Sequence, residues 1–251
     1  MEIHLNKILL KKSVLILLAT SLISFFAGCA TSGKEILRTQ KDPIALVSVV
    51  SNSDINWNGE ESINPNVAGF FTKKALKGGS DQVIVSSADQ LIGTAEGVIR
   101  DCLANTGKIN LADKDTVINS RAYQNAVQRA YQINQGYVKP DDYRFIDYRD
   151  KNFSAALDAE TGIQRSMFVE FNFTKAMSGG FGKNGSCRAL VDITVNIQDN
   201  QGKSLYRKTF SLKSKDTTKV TAGVYSGNEL MALFESAIYD ACYAFLDNLD
   251  S

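Results

Sequence analysis

In "CRALVDITVNIQD", residues 187–199, Cys187, Ala189, Val191, Ile193, Val195 and Ile197 occupy every second position. Arg188, Asp192, Thr194, Asn196 and Gln198 lie between them, with Leu190 as the exception. A period of two is the signature of a strand with one buried face. The turn residues "DNQG" then lead into "KSLYRKTFSL", a hairpin signal. Upstream, "RSMFVEFNFTKAM" alternates in the same way, with Val169, Phe171 and Phe173 on one face and Glu170, Asn172 and Thr174 on the other. "PIALVSVV", residues 43–50, does not alternate, and a continuous apolar run of this length predicts a strand buried on both faces.

Helical spacing marks three further stretches. In "SSADQLIGTAEGVIRDCLANTG" the residues Leu91, Ala95, Val98 and Cys102 form one stripe, Ser87 and Gln90 suggest a capping box, and Gly107 is a stop. "SRAYQNAVQRAYQIN" reads as a second helix closed by Gly136, and "KNFSAALDAETG" as a short one ending at Gly162. The chain closes with "SGNELMALFESAIYDACYAFLDNL", where Ser226 and Glu229 form a capping box and Leu230, Phe234, Ile238, Ala241, Phe245 and Leu249 share a stripe. Between these elements "KINLADKDTVI" is weakly extended, and the Asn-, Ser- and Gly-rich residues 51–82 read as an irregular insertion with an ordered piece around Val67–Leu76. The order predicts an α/β (α+β) fold: a mixed sheet with a C-terminal antiparallel meander, helices packed on it and a long C-terminal helix.

The first apolar run is of another kind. Lys7, Lys11 and Lys12 precede "SVLILLATSLISFFAG", which carries no charge and is short of the ~20 residues that span a bilayer core. A basic flank, a short apolar run and small residues after it define a secretory signal. "FAGC", residues 26–29, resembles the lipobox of bacterial lipoproteins, with Phe26 where Leu is commonest. The resemblance implies cleavage before Cys29 and acylation, palmitate included, at that residue. Ala30 resembles an outer-membrane sorting signal. The expected organisation is a signal peptide over 1–28, a lipidated polar tether over 29–41 and a single domain over 42–251. An uncleaved anchor helix and an ordinary secreted protein are the alternatives.

Composition narrows the chemistry. Removing residues 1–28 takes away Lys7, Lys11, Lys12 and Glu2 and leaves 25 bases and 26 acids, so there is no basic footprint for nucleic acid. The one histidine, His4, lies in the signal. Without histidine the mature chain cannot build a Ser-His-Asp or Cys-His arrangement or a histidine-ligated zinc. Ser-x-x-Lys is also absent. Cys102, Cys187 and Cys242 are too far apart for a C-x-x-C motif. All three fall on or beside predicted core faces, which expects buried thiols; one disulfide with a leftover thiol is the alternative.

Other candidate sites have bland readings. "SGGFGKNGSC", residues 178–187, has Asn184 after Gly182-Lys183 and a strand instead of a helix behind it, so it is a hairpin connection and not a phosphate loop. Asp141, Asp142, Asp147 and Asp150 lack the calcium-loop spacing and read as a solvated acidic loop. Tyr123, Tyr131, Tyr137, Tyr143 and Tyr148 suit a glycan or peptide groove, or the packing of a long loop on a helix. Trp57 reads as a loop anchor.

The stretches "LDAETGIQRSMFVEFNF" and "VDITVNIQDNQGKSLYRKTF", followed by the closing helix, resemble in pattern the α/β domain of curli-secretion-type lipoproteins and the N-terminal domain of the Tol-Pal periplasmic propeller protein. The resemblance implies a non-enzymatic scaffold, assembly or transport-accessory role in the cell envelope. The expected partners are the membrane, through the lipid on Cys29, and an envelope protein or a second copy; no cofactor or metal is expected. A secretion-channel subunit that inserts the 166–199 hairpin into a barrel, and a carboxylate-based enzyme, are the alternatives.

Overall fold

The computed structural model describes residues 33–58, 88–181 and 184–251. Cys29, the rest of the leader and residues 59–87, most of the expected insertion, lie outside the described residues. The described strands are β1 (Ile44–Ser51), β2 (Asn56–Trp57), β3 (Arg165–Phe181), β4 (Asn184–Asp199), β5 (Ser204–Lys213), β6 (Thr218–Thr221) and β7 (Val224–Tyr225). They form one mixed sheet in the order β1–β3–β4–β6–β7, with β2 also paired to β3 and β5 also paired to β4. β1 and β2 run parallel to β3, and the β3–β4–β5 meander is antiparallel. The fold is mixed α/β with a long C-terminal helix, as the periodicities predict.

One face of the sheet carries the larger core. Val169, Phe171 and Phe173 of β3 and Cys187, Ala189, Val191, Ile193, Val195 and Ile197 of β4 are all buried there. Two helices cover them: α2 (Asp89–Thr106) and α7 (Gly227–Asp250). Phe173 meets Phe234 of α7 edge to face at 5.6 Å and stacks on Phe171 at 5.3 Å, geometries that add to plain area burial. Ser226 caps α7 by accepting the Glu229 N–H. Gly107, in the left-handed conformation, ends α2.

A smaller core lies on the opposite face. Ala45 and Val47 of β1 and Phe168 of β3 meet Val117, Tyr123, Ile146, Phe153 and Leu157. These come from α3 (Lys114–Ile118), α4 (Arg121–Gln124), the loop after α5 (Ala130–Asn134) and α6 (Lys151–Thr161). β1 lies between the two cores, with Ile44 and Leu46 in one and Ala45 and Val47 in the other. That is why its sequence is apolar without alternation. The smaller core covers only part of this face. Glu170, Asn172, Thr194, Arg207 and Thr209 stay wholly or partly exposed, tied by a Thr194–Thr209 hydroxyl pair at 2.8 Å and by Asn172 donating to Asp192 at 3.2 Å.

Several expectations change. Residues 33–39 of the expected tether form a helix, α1 (Gly33–Thr39), with Leu37 buried at 3% exposure in the larger core. A Cβ on Gly33 would collide with the Leu205 carbonyl, so this first residue is pressed onto β5 backbone. Arg165, at the start of β3, is 4% exposed and bonds Gln40 and, at 3.0 Å, Asp42, which ties the link after α1 to the sheet. The N-cap of α2 is Ala88 and makes no side-chain cap; Ser87 lies outside the described residues. "KINLADKDTVI" is one isolated bridge, Leu111 to Ile44, followed by α3, whose cap is Asp113. The expected helix over 120–134 breaks into α4 and α5, because Gln128 bridges Ile146 between them. β3 and β4 extend through the expected loop 178–187 as far as Phe181 and Asn184, and the piece Val67–Leu76 lies outside the described residues.

The burial of Leu37 makes α1 part of the fold and not a spacer. Leu37→Ala is expected to lower unfolding stability by about 2–5 kcal/mol, the range for a buried Leu. Denaturant titration of the chain without its leader checks this; a change within ~0.5 kcal/mol, as at a surface site, would return residues 33–39 to the tether.

Candidate functional site

The partly covered face holds a cleft where the 126–148 segment folds over β1, β3 and β4. Ser48, Val50, Ile146 and Phe168 line its depth, and Arg129, Gln132, Tyr148, Glu170, Asn196 and Arg207 are its polar groups. The Arg129 N–H donates to Phe145 O at 2.7 Å, and Val138 exchanges backbone bonds with Ser51, so the segment is pinned at both ends of α5. Arg129 pairs with Glu170 at 3.3 Å, and the Tyr137 hydroxyl donates to the same carboxylate at 3.4 Å. Burial first, and then Glu170, push the Tyr137 phenol above its ordinary range, so it stays a donor at neutral pH. Both guanidinium groups, of Arg129 and Arg207, lie near the Tyr148 ring, at 5.0 and 5.2 Å.

Two polar atoms in this cleft have no protein partner: Arg129 Nε, a donor, and Gln132 Oε1, an acceptor on a residue only 3% exposed. Buried groups of this kind are normally satisfied. Both atoms are shut off from the surface, and each is of the kind that an ordered water satisfies. Beside the cleft, Val127, Tyr131 and Ile133 are exposed at 57, 57 and 48%. Among the described residues they are three of the four large apolar side chains so exposed, and they fall within one stretch of seven residues. Glu170 is the one carboxylate that lines the cleft, and it is held by Arg129 and Tyr137.

A second unusual group is Lys175 of β3, 6% exposed. Its ammonium lies 5.3 Å from the Trp57 ring and 5.7 Å from the Tyr225 ring and donates to Ile55 O at 2.6 Å. The two rings meet edge to face at 6.2 Å. Burial pulls the Lys175 pKa down to about 8. Trp57 is thus an anchor, of β2 on β3, with Lys175 beneath it.

The other residues singled out by sequence scatter. Asp142 pairs with Lys114 at 3.1 Å, Asp147 with Arg149 at 2.7 Å, and Asp150 caps α6; among the described residues no three acids, Cys or His gather for a metal. Tyr123 and Tyr143 are core residues, Tyr143 bonding Arg100 and Glu96, while Tyr131, Tyr137 and Tyr148 border the cleft. Cys102, Cys187 and Cys242 are buried thiols outside any disulfide. Cys102 and Cys242 join α2 to α7 by a thiol hydrogen bond, which with burial pushes the Cys242 thiol up. Cys29 lies outside the described residues. The cleft pair Arg129 and Gln132 has no sequence signal, because the broken helix 120–134 was not legible. Lys175 does have one: counting on from Phe171 and Phe173 places a charge on the apolar face.

The fold is a mixed α/β domain. No protein-family model matches the chain, and a search of curated proteins found no match. Among solved structures, the C-terminal domain of LpoB from Salmonella enterica is similar at 13% identity, covering 72% of this chain and 95% of that one, with a TM-score of 0.28. The lipoprotein GNA1162 from Neisseria meningitidis is similar at 14% identity, covering 80% and 99%, with a TM-score of 0.31. Neither is a curli-secretion lipoprotein or the Tol-Pal propeller protein. Likeness at these scores carries no argument about function.

Lys175 sets a pH dependence. Its pKa falls from 10.5 unfolded to about 8 folded, so between these values the unfolded chain binds more protons and stability rises with pH. The burial cost is fully present below pH 8 and is relieved above it. Relative to Lys175→Met, the wild-type protein is expected to gain roughly 2 kcal/mol between pH 7 and 10. Denaturation curves of both proteins across that range check it; parallel pH profiles would mean that Lys175 is solvated.

Proposed function

We propose that the chain is a non-catalytic binding or assembly module of the bacterial cell envelope, anchored by lipid on Cys29 and engaging a protein partner through the cleft face. The observation that carries the anchoring is "FAGC" behind a basic flank and a short apolar run. Two or more acyl chains hold a protein stably at a bilayer. Among the described residues no helix is long and apolar enough to cross a membrane. Ala30 supports the outer membrane as the destination.

The binding role rests on the neighbourhood of α5. Val127, Tyr131 and Ile133 present apolar surface next to the orphaned Arg129 Nε and Gln132 Oε1. An exposed apolar patch rimmed by polar groups is the make-up of a protein–protein contact surface. The absence of histidine after His4 and the pairing of Glu170 support a role without catalysis.

The anchoring is tested by metabolic labelling with palmitate and by fractionation. Wild-type protein is expected to take up label and to pellet with membranes, and Cys29→Ala to do neither. Retention of Cys29→Ala in the membrane would overturn the anchor. A photo-crosslinking residue at Tyr131 in intact cells is expected to give a discrete adduct that Arg129→Ala abolishes, whereas one at Tyr243 of α7 gives none; equal adducts at both positions would remove the cleft face as the contact.

A further inference from the structure

We infer that the domain stands on the bilayer by one end, with α1, the β4–β5 turn and the C-terminal end of α7 facing the lipid and the tip of the β3–β4 hairpin held away from it. The inference rests on the acylation of Cys29 proposed above. It follows from two lengths and a distribution of charge.

The first length is the tether. Only Ala30, Thr31 and Ser32 separate Cys29 from Gly33, and four Cα steps reach at most about 14 Å. Gly33 is fixed: it presses on Leu205 at the start of β5, Lys34 Nζ donates to Ser251 Oγ at 3.3 Å, and Leu37 is buried. The acylated residue therefore stays within that reach of the place where β5 begins and α7 ends.

The second length is the β3–β4 ladder. Arg165 pairs with Asp199 at the anchored end, and Phe181 with Asn184 at the other. A strand of 17 residues is about 50 Å long at the usual rise, several times the tether. The cleft face is out of reach for another reason. α1 packs with α7 on one side of the sheet, and the cleft lies on the other. With layers about 10 Å apart, the sheet itself stands between the anchor and the cleft.

Charge keeps the domain from lying down on α7. That helix has Glu229, Glu235, Asp240, Asp247 and Asp250 and no Lys or Arg, and Lys215 reaches it from outside to pair with Asp240 at 3.0 Å. Anionic headgroups repel such a flank. The anchored end instead mixes both signs: Lys34, Lys151 and Lys203 stand with Glu35 and Asp199, Lys151 lying against Gly202 of the turn, while Lys108 neutralises Asp250 at 2.6 Å and Asp247 at 3.6 Å. The end that the tether holds at the bilayer is thus less acidic than the α7 flank.

The test uses the acylated protein on vesicles of phosphatidylethanolamine and phosphatidylglycerol that contain a little headgroup-linked succinimidyl ester. Floated protein is digested, and the lysines coupled to lipid are identified by mass spectrometry. Lys34, Lys151 and Lys203 are expected to couple at least about tenfold more than Lys219, which pairs with Ser186 near the hairpin tip. Equal coupling of Lys219 in floated protein would overturn the orientation and leave the anchor standing. Failure to float would overturn the anchor and the orientation with it.

Discussion

The antiparallel ladder between β3 and β4 is the interaction on which the rest of this molecule depends. It pairs Arg165 through Phe181 with Asp199 through Asn184 and slips once, near Met177 and Gly179. Because side chains alternate, this one register puts Phe171 and Phe173 beside Ile193 and Val191 on the same face. A slip of β3 by one residue would turn Glu170 and Asn172 into the core in place of Phe171 and Phe173. The other strands build on this pair: β1 and β2 on the outer edge of β3, β5 and β6 on the outer edge of β4, and β7 on β6. α7 closes over the apolar face, and its Phe234 meets Phe173 where the ladder is most deeply buried.

The ladder was the most legible part of the sequence for the same reason. Period two over thirteen residues of β4 has one reading, and the capping box at Ser226 has a matching hydrogen bond. The 108–136 region was not legible, because its geometry comes from contacts far away in sequence. Leu111 bridges Ile44, Gln128 bridges Ile146, and Tyr123 accepts from the Arg144 N–H at 2.9 Å. Those long-range bonds break an amphipathic stretch that would by itself continue as a helix, an instance of tertiary context overriding propensity. α1 was missed for a related reason: "GKEILRT" is mostly polar, and the single residue that docks it, Leu37, is not a pattern.

The same distinction separates the two special sites. Lys175 could be found by counting along β3, since the period that buries Phe171 and Phe173 also buries residue 175. The fold accepts that cost with two aromatic rings and a backbone carbonyl. Arg129 and Gln132 could not be found so, because their neighbourhood with Glu170, Asn196 and Arg207 exists only once the broken helix lies across the sheet. What they share is an unmet hydrogen bond each, in a molecule whose buried polar atoms are mostly paired.

The hairpin also bears on the channel reading. A strand that enters a lipid-facing barrel must present its apolar residues to hydrocarbon. In this chain those residues are in use: Cys187, Ala189 and Val191, in the outer half of β4, belong to the same core as Leu230 and Phe234 of α7. Val220 of β6 packs into it, and the Lys175–Trp57–Tyr225 group occupies the apolar side of β3 at that level. Inserting the hairpin would strip α7 of its partner and carry the Lys175 ammonium into lipid, a cost of several kcal/mol for the charge alone. The tip Phe181–Asn184 is, moreover, the end of the ladder opposite the one that receives α1. An alternation that looks able to serve either a barrel or a soluble core is occupied here by the core that covers it, and three of the four large exposed apolar residues of the described chain lie instead around α5.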